Sequence, residues 1–193
     1  MDGRGKTNYR HPLKMVAAQY AREDTVVSDG LLVRPPGADF TATEMALEPD
    51  MMALARSLNQ ASQGERVRLI RNGVAASRIL ELVEAMHVSR ERLLGMLNLP
   101  DASVKRKIRQ RAMLSQEQSE RVLGLLRLIG QVAVMVEHSG DPKEFDAARW
   151  VGDWIERPIP ALGGSRPADY METLVGQTIV SQLLAQSQAA VFA

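Results

Sequence analysis

Ser89-Arg-Glu-Arg-Leu-Leu-Gly-Met-Leu-Asn-Leu-Pro-Asp-Ala-Ser-Val-Lys-Arg-Lys-Ile-Arg-Gln-Arg111 is the stretch that decides the fold. Ser89 suits a helix N-cap, and Leu93, Leu94 and Leu97 fall on one inward face behind it. Asn98-Leu99-Pro100-Asp101 is a tight break, because proline lacks the N–H a helix needs and restricts the residue before it. Asp101 is expected to cap a second helix, from Ala102 to about Arg111. Two short helices across a three- or four-residue break, the second loaded with cations, form the pattern of a helix-turn-helix. At 100° per residue Val104 and Ile108 point one way and anchor the second helix. Lys105, Arg106, Arg109 and Gln110 point the other way, with Ser103 and Lys107 on the flanks. Arg and Gln can pair bidentately with base edges in a major groove, while Lys suits phosphates. A solvated basic face would read the same in one helix taken alone. The wider stretch 65–111 has no Phe, Trp or Tyr, which speaks against an RNA-stacking platform.

Outward from this unit the chain reads as helices. Upstream, Ile79, Leu80, Val83 and Met86 predict an amphipathic helix over 75–86, and Pro49 to about Asn59 predicts a short one with Met51, Leu54 and Leu58 on a face. Residues 60–64 read as a linker. Downstream, Ser115 opens the strongest pattern: Val122, Leu125, Leu126, Ile129, Ala133 and Val136 form a stripe ending near Ser139-Gly140. Further helices are expected over 143–155, 168–174 and 177–188, the last with Ile179, Val180, Leu183 and Leu184 apolar. The expectation is an all-α chain of about seven helices, without internal repeats. Residues 1–42 carry only turn signals, Asp29-Gly30 and Pro35-Pro36-Gly37, around Leu31-Leu32-Val33.

Composition agrees with this class. Of 193 residues 45% are hydrophobic and only eight are aromatic, which favours helices over a sandwich or barrel. The absence of cysteine excludes disulfides, thiolate zinc sites and thiol nucleophiles, and fits a reducing cytoplasm. No signal-peptide pattern opens the chain and no apolar run approaches membrane-spanning length, so no membrane is expected as partner. The net charge of +1 hides an asymmetry: residues 65–111 carry 11 Lys/Arg against 5 Asp/Glu, whereas residues 112–193 carry 6 against 10. A basic middle beside an acidic end suggests two surfaces with different partners.

Catalytic signatures are missing. His11, His87 and His138 are isolated, and no HExxH, nucleotide-binding glycine loop or GxSxG elbow occurs. His87 ends a helix, where a cation favours the dipole. The chain is read as no enzyme, with neither cofactor nor metal. What does stand out is Trp150 to Pro167, eighteen residues holding both tryptophans, Pro158, Pro160, Pro167 and Gly163-Gly164. Proline fixes φ and Gly-Gly opens angles closed to other residues, so Arg157 to Arg166 is expected to be a shaped loop, followed by a helix capped by Ser165.

From the basic helix onward the order is Leu114-Ser115-Gln-Glu-Gln-Ser-Glu-Arg121, the long apolar helix, Trp154, Pro158-Ile-Pro-Ala-Leu-Gly-Gly-Ser-Arg-Pro167, Thr173-Leu-Val-Gly176 and a terminal Val191-Phe192-Ala193. This order resembles the MbcA/ParS/Xre family of type II antitoxins, over about Gly73 to Ala193. Relatives often end in Gly-Val-Tyr and a small residue, where this chain has Phe192. The resemblance implies an Xre-like helix-turn-helix module that binds the operator of its own operon, followed by a small helical domain that covers an NAD-consuming RES-domain toxin. The implied divisions are an N-terminal extension (1–64), the DNA-binding and dimerisation module (65–139) and the toxin-binding domain with its tail (140–193). The implied toxin-binding residues are Trp154, Pro160, Leu162, Gly163, Gly164, Arg166, Val191, Phe192 and Ala193. The implied partners are the cognate RES toxin, operator DNA and a second copy of the chain. Two readings stand for Phe192, insertion into a partner's cleft or folding back onto its own helix. Two stand for the whole chain: a toxin-neutralising, autoregulating antitoxin, or a free-standing helix-turn-helix regulator whose C-terminal part only dimerises or senses a ligand.

Overall fold

The computed structural model describes residues 50–138 and 145–192, with the side chains of the last helix described through Ser187. The described residues form α1 (Met51–Gln60), α2 (Gln63–Asn72), α3 (Arg78–Met86), α4 (Arg90–Met96), α5 (Asp101–Arg109), α6 (Gln116–His138), α7 (Ala147–Trp154), the short 3-10 turns η1 (Pro160–Leu162) and η2 (Pro167–Tyr170), and α8 (Leu174–Phe192). No strand occurs among them, and the chain is all-α.

Helix α6 is the spine. Its 23 residues bury Val122, Leu125, Leu126, Ile129, Ala133 and Val136, the stripe that 3.6-residue spacing predicts. They also bury Leu123, Leu128, Val132 and Met135, because α1, α2, α7 and α8 all pack on it. A surface helix needs one apolar face, and a helix covered from several sides needs more. One continuous core results, running from Met51 in α1 to Leu184 in α8.

The first described helix, α1, belongs to that core. Met51, Leu54, Ala55 and Leu58 are buried, and α1 crosses α6 where Ala55 meets Gly130. A Cβ at position 130 would collide with the Ala55 carbonyl, so only glycine permits this approach. Asn59 Nδ2 secures the crossing by donating to the Arg127 carbonyl at 3.0 Å. The expected linker over 60–64 shrinks to Ala61 and Ser62. Ser62 Oγ accepts the Glu65 N–H at 3.3 Å while Glu65 Oε2 accepts the Ser62 N–H at 2.6 Å, a capping box that starts α2 at once. The pattern Ser-x-x-Glu was legible; the linker reading overlooked it.

Other boundaries shift for physical reasons. The helix expected over 75–86 starts only at Arg78, because 74–76 is held extended: Ala75 bridges antiparallel to Met113, and Leu114 donates its N–H to the Val74 carbonyl at 2.8 Å. Ser119 Oγ accepts the Val74 N–H at 2.9 Å, so the clamp is tied to α6. Leu80, expected inward, is exposed, and Leu82 takes its place with Ile79 and Met86. Helix α7 begins at Ala147 rather than 143, since Asp146 caps it by accepting the Arg149 N–H at 3.0 Å. The helix expected over 168–174 is the single turn η2, and the one expected over 177–188 is α8, longer at both ends. In α8 Val180 and Leu184 are buried, whereas Ile179, also expected inward, is exposed.

Candidate functional site

Two surfaces carry the residues singled out by sequence. The first is built from α4, a turn and α5. Helix α4 is capped by Ser89 Oγ, which accepts the Arg92 N–H at 3.1 Å. After Leu97 the chain turns at Asn98, which adopts φ 48°, a left-handed conformation that asparagine tolerates better than most residues. Leu99 donates its N–H back to the Leu94 carbonyl at 2.8 Å, and Pro100 occupies the N-cap of α5. The expected capping by Asp101 does not occur. Asp101 is the first helical residue, and its carboxylate pairs with Lys105 Nζ at 2.8 Å and Arg90 Nη2 at 3.1 Å. The hydrogen bond and charge of Lys105, with help from Arg90, hold this carboxyl below its ordinary range.

Helix α5 stands on Val104, which is fully buried, and on the half-buried Ile108. Lys105, Arg106, Arg109 and Gln110 are exposed, while Ser103 and Lys107 are half-buried on the flanks, as the wheel predicts. Their freedom differs. Lys107 Nζ donates to Gln118 Oε1 on α6 at 3.0 Å, and Lys105 is engaged by Asp101. Gln110 lies at the C-cap, past the last helical turn. Within α5, Arg106 and Arg109 have no ion-pair partner among the described residues, which leaves both free for an anionic polymer. Arg121 was missed by sequence reasoning. From α6 its Nη1 donates to the Asn98 carbonyl at 2.8 Å, while Nη2 pairs with Glu117. It fixes the turn, and hence the angle between α4 and α5, to the spine. No local sequence signal marks a contact 23 residues distant.

The second surface is the segment after α7. Trp154 stacks on Trp150 with ring centroids 5.7 Å apart and planes at 12°. Trp154 is only 8% exposed, so most of its indole packs within the fold. Past it, the Pro-Gly segment folds on itself as expected of a shaped loop. Ile159 donates its N–H to the Ser165 carbonyl at 3.0 Å, and Gly164 donates back to the Ile159 carbonyl at 3.1 Å. Gly163 and Gly164 have φ of 64° and 85°, and a Cβ on either would meet open space. Their need for glycine is therefore backbone conformation, not crowding within the chain. Pro160, Gly163 and Gly164 are exposed at the loop tip, and Leu162 is half-buried.

Arg166 has a second duty. Its Nη2 pairs with Asp169 at 2.6 Å and its Nη1 with Glu156 at 3.3 Å, and Glu156 also pairs with Arg92 of α4. This chain of charges fastens the loop to the helix-turn-helix. Through it the Arg166 guanidinium holds the Asp169 carboxyl below its ordinary range. Expected to cap a helix, Ser165 makes no cap; Arg166 is the N-cap residue of η2, its N–H donating to Asp169 Oδ2 at 3.1 Å. Helix α8 follows. One side is buried at Gly176, Gln177, Val180 and Leu184, but Leu174, Val175 and Ile179 are exposed, Val175 to 73%. These three exposed apolar side chains are surface that a partner can cover. The backbone of Val191 and Phe192 continues the helix; their side chains, and Ala193, lie outside the described residues.

No group of carboxylates and imidazoles among the described residues is placed to hold a metal. No described helix is long and apolar enough to cross a membrane.

Comparison with known proteins matches both surfaces. Residues 65–127 match the antitoxin Xre-like helix-turn-helix domain, and residues 145–189 match the antitoxin Xre/MbcA/ParS C-terminal toxin-binding domain. A similar protein is the Prs ADP-ribosylating antitoxin of Sphingobium sp. (strain YBL2), 44% identical over 138 residues, which cover 72% of this chain and 87% of that protein. With the turn gripped by Arg121, the folded Pro-Gly loop and both matched domains in order, the chain belongs to the Xre/MbcA/ParS antitoxin family.

Proposed function

We propose that this protein is a cytoplasmic, non-enzymatic antitoxin that binds and neutralises a cognate NAD-consuming RES-domain toxin and represses its own operon as a homodimer on DNA. The observation that carries the reading is the apolar row Leu174, Val175 and Ile179, exposed within the toxin-binding match and continuous in sequence with the Pro-Gly loop. A helix that leaves such a row in water gains from a partner, at roughly 25 cal/mol per Å² of apolar surface covered. The other half of the reading rests on Arg106 and Arg109, exposed and unpaired on a helix whose opposite side is anchored by Val104. Such a helix suits a major groove, and operators read this way are usually two-fold repeats that call for a dimer. The proposed toxin contacts are the exposed loop tip, Pro160 to Gly164, the outer face of α8, and the terminal Val191, Phe192 and Ala193.

Co-expression with the RES toxin from the same operon tests this. The full chain is expected to restore growth and cellular NAD and to co-purify with the toxin. Deleting residues 190–193 is expected to weaken protection while leaving operator binding in gel shifts intact. If the full chain neither binds the toxin nor restores NAD, the antitoxin reading fails. If the truncated chain protects as well as the full one, the tail has no part in inhibition.

A further inference from the structure

A groove of about 370 Å³ lies between α2 and α8 with α6 as its floor. Ile70, Leu123, Leu128 and Leu174 line it with apolar surface. Two cations share it, Arg66 from α2 and Arg127 from α6. Arg56, Arg78, Arg90, Arg92, Arg121 and Arg166 each pair with a carboxylate, but neither Arg66 nor Arg127 does so among the described residues. Glu120 also lines the groove, yet it forms no ion pair with either. The nearest polar partner of Arg127 is Ser181, whose Oγ accepts from Nη2 at a long 3.5 Å.

Two like charges brought into one partly apolar groove oppose folding unless something offsets them. Burial, and then the charge of Arg66, hold the Arg127 guanidinium below its ordinary range. Two of the groove's other polar side chains are already committed. Ser181 Oγ donates to Gln131 Oε1 at 2.7 Å, and Gln177 Nε2 donates to the carbonyls of Arg121 and Met171, both at 3.0 Å. What the groove offers an anion is two guanidiniums beside apolar walls, in a volume within the usual range for small-molecule sites, about 300–1,000 Å³.

We infer that the groove between α2, α6 and α8 binds a small organic anion with an apolar body, its charged group between Arg66 and Arg127 and its body along Ile70, Leu123 and Leu174. Guanidinium groups suit carboxylates and sulfonates, which accept two parallel N–H bonds. The site does not rest on the toxin or operator assignments. It does join them: Arg66 and Arg127 lie within the helix-turn-helix match, and Leu174 and Ser181 within the toxin-binding match, so an occupant touches both.

Titration calorimetry on the full chain, without DNA or toxin, tests the site with decanoate and naphthalene-1-sulfonate as probes. Neutral decanol and inorganic phosphate serve as controls for the body alone and the charge alone. At least one organic anion is expected to bind with one-to-one stoichiometry and at least about tenfold more tightly than either control, the worth of one charge-assisted hydrogen bond. Arg66→Met and Arg127→Met are each expected to weaken it about tenfold or more, with helicity unchanged by circular dichroism. Should those variants misfold, Thr178→Trp, which fills the groove and leaves both arginines in place, is expected to abolish binding by itself. The inference is overturned if neither organic anion binds below millimolar concentration, if phosphate alone binds as tightly, or if Thr178→Trp leaves affinity unchanged.

Discussion

Helices α5 and α8 carry the two surfaces proposed to meet partners, and they are built in opposite ways. Helix α5 buries a single residue, Val104, and turns charge outward. Its position is set from behind, by Arg121 on the turn and Gln118 on Lys107. Helix α8 is apolar on both sides: Val180 and Leu184 face the core, and Leu174, Val175 and Ile179 face water. The first is a rigid display of cations suited to a polymer of fixed charge spacing. The second is an unfinished interface whose energy lies in apolar area. One spine, α6, holds both, so the two can be damaged together or separately.

Damage to the spine is expected to have the largest effect. Gly130→Val drives a side chain into the Ala55 carbonyl and separates α1 from α6. Overpacking of this kind usually costs about 1–3 kcal/mol, and a backbone obstacle places the change at or above the upper end. Urea denaturation is the measurement, and both operator and toxin binding are expected to fall together. If stability is unchanged, α1 is not the support described here.

Separating the surfaces comes next. Arg106→Ala is expected to cost about 1–3 kcal/mol at the operator in gel shifts, with toxin co-purification unchanged. Lys105→Ala is expected to cost less, because its ammonium is engaged by Asp101. Equal losses would show that the ion pair opens freely on DNA. The converse change, Val175→Asp, puts a charge in the middle of the α8 row. Toxin affinity is expected to fall by at least about 1.5–3 kcal/mol, the worth of burying one such side chain, with operator affinity as in the wild type. Simultaneous loss of both activities in either variant would contradict the independence of the two surfaces.

The smallest effect is expected at the link between them. Asp169→Asn removes the carboxylate that pairs with Arg166. Because that carboxyl is held below its ordinary range, the pair contributes stability above the ordinary carboxylate pKa, about 3.9, and loses it as pH falls through the folded value. The pair is exposed, so only a slight melting-temperature difference is expected near neutrality. That difference should close in acid, below about pH 4. A gap that widens in acid would contradict the assignment.

The comparison also explains what sequence could say. The spacing of Val104 and Ile108 and the stripe on α6 were legible because periodicity encodes which face is buried. The exposed cations of α5 followed from the same wheel. The role of Asp101 was misjudged: its carboxylate could serve either the backbone or two nearby cations, and only the folded geometry gives Arg90 a place beside it. Ile179 was misassigned because α8 is apolar on both sides, so periodicity could not separate core from interface. Trp154 entered as a toxin contact through the family resemblance; its stacking on Trp150 is a fact of packing that no local pattern encodes. The Arg121 contact and the 74–76 clamp were illegible, since single hydrogen bonds between distant segments leave no local pattern. The shaped loop was foreseen from Pro and Gly; the toxin-facing role proposed for it came only from the family resemblance.

The clamp between 74–76 and 112–114 has a consequence for engineering. Because Val74 and Leu114 are hydrogen-bonded neighbours, α3 to α5 leave and rejoin the rest of the chain at one place. Segments whose ends meet are the ones most readily exchanged between proteins. The DNA reader is thus a cassette whose chain enters and leaves the antitoxin at one place. A foreign reader of matching length could retarget the operator while the toxin surface stays as it is. Four fittings must be carried along: the Ile79, Leu82 and Met86 face that seats the cassette against the core, the Asn98 carbonyl that Arg121 holds, the Arg92 guanidinium that pairs with Glu156, and the Lys107 ammonium that donates to Gln118.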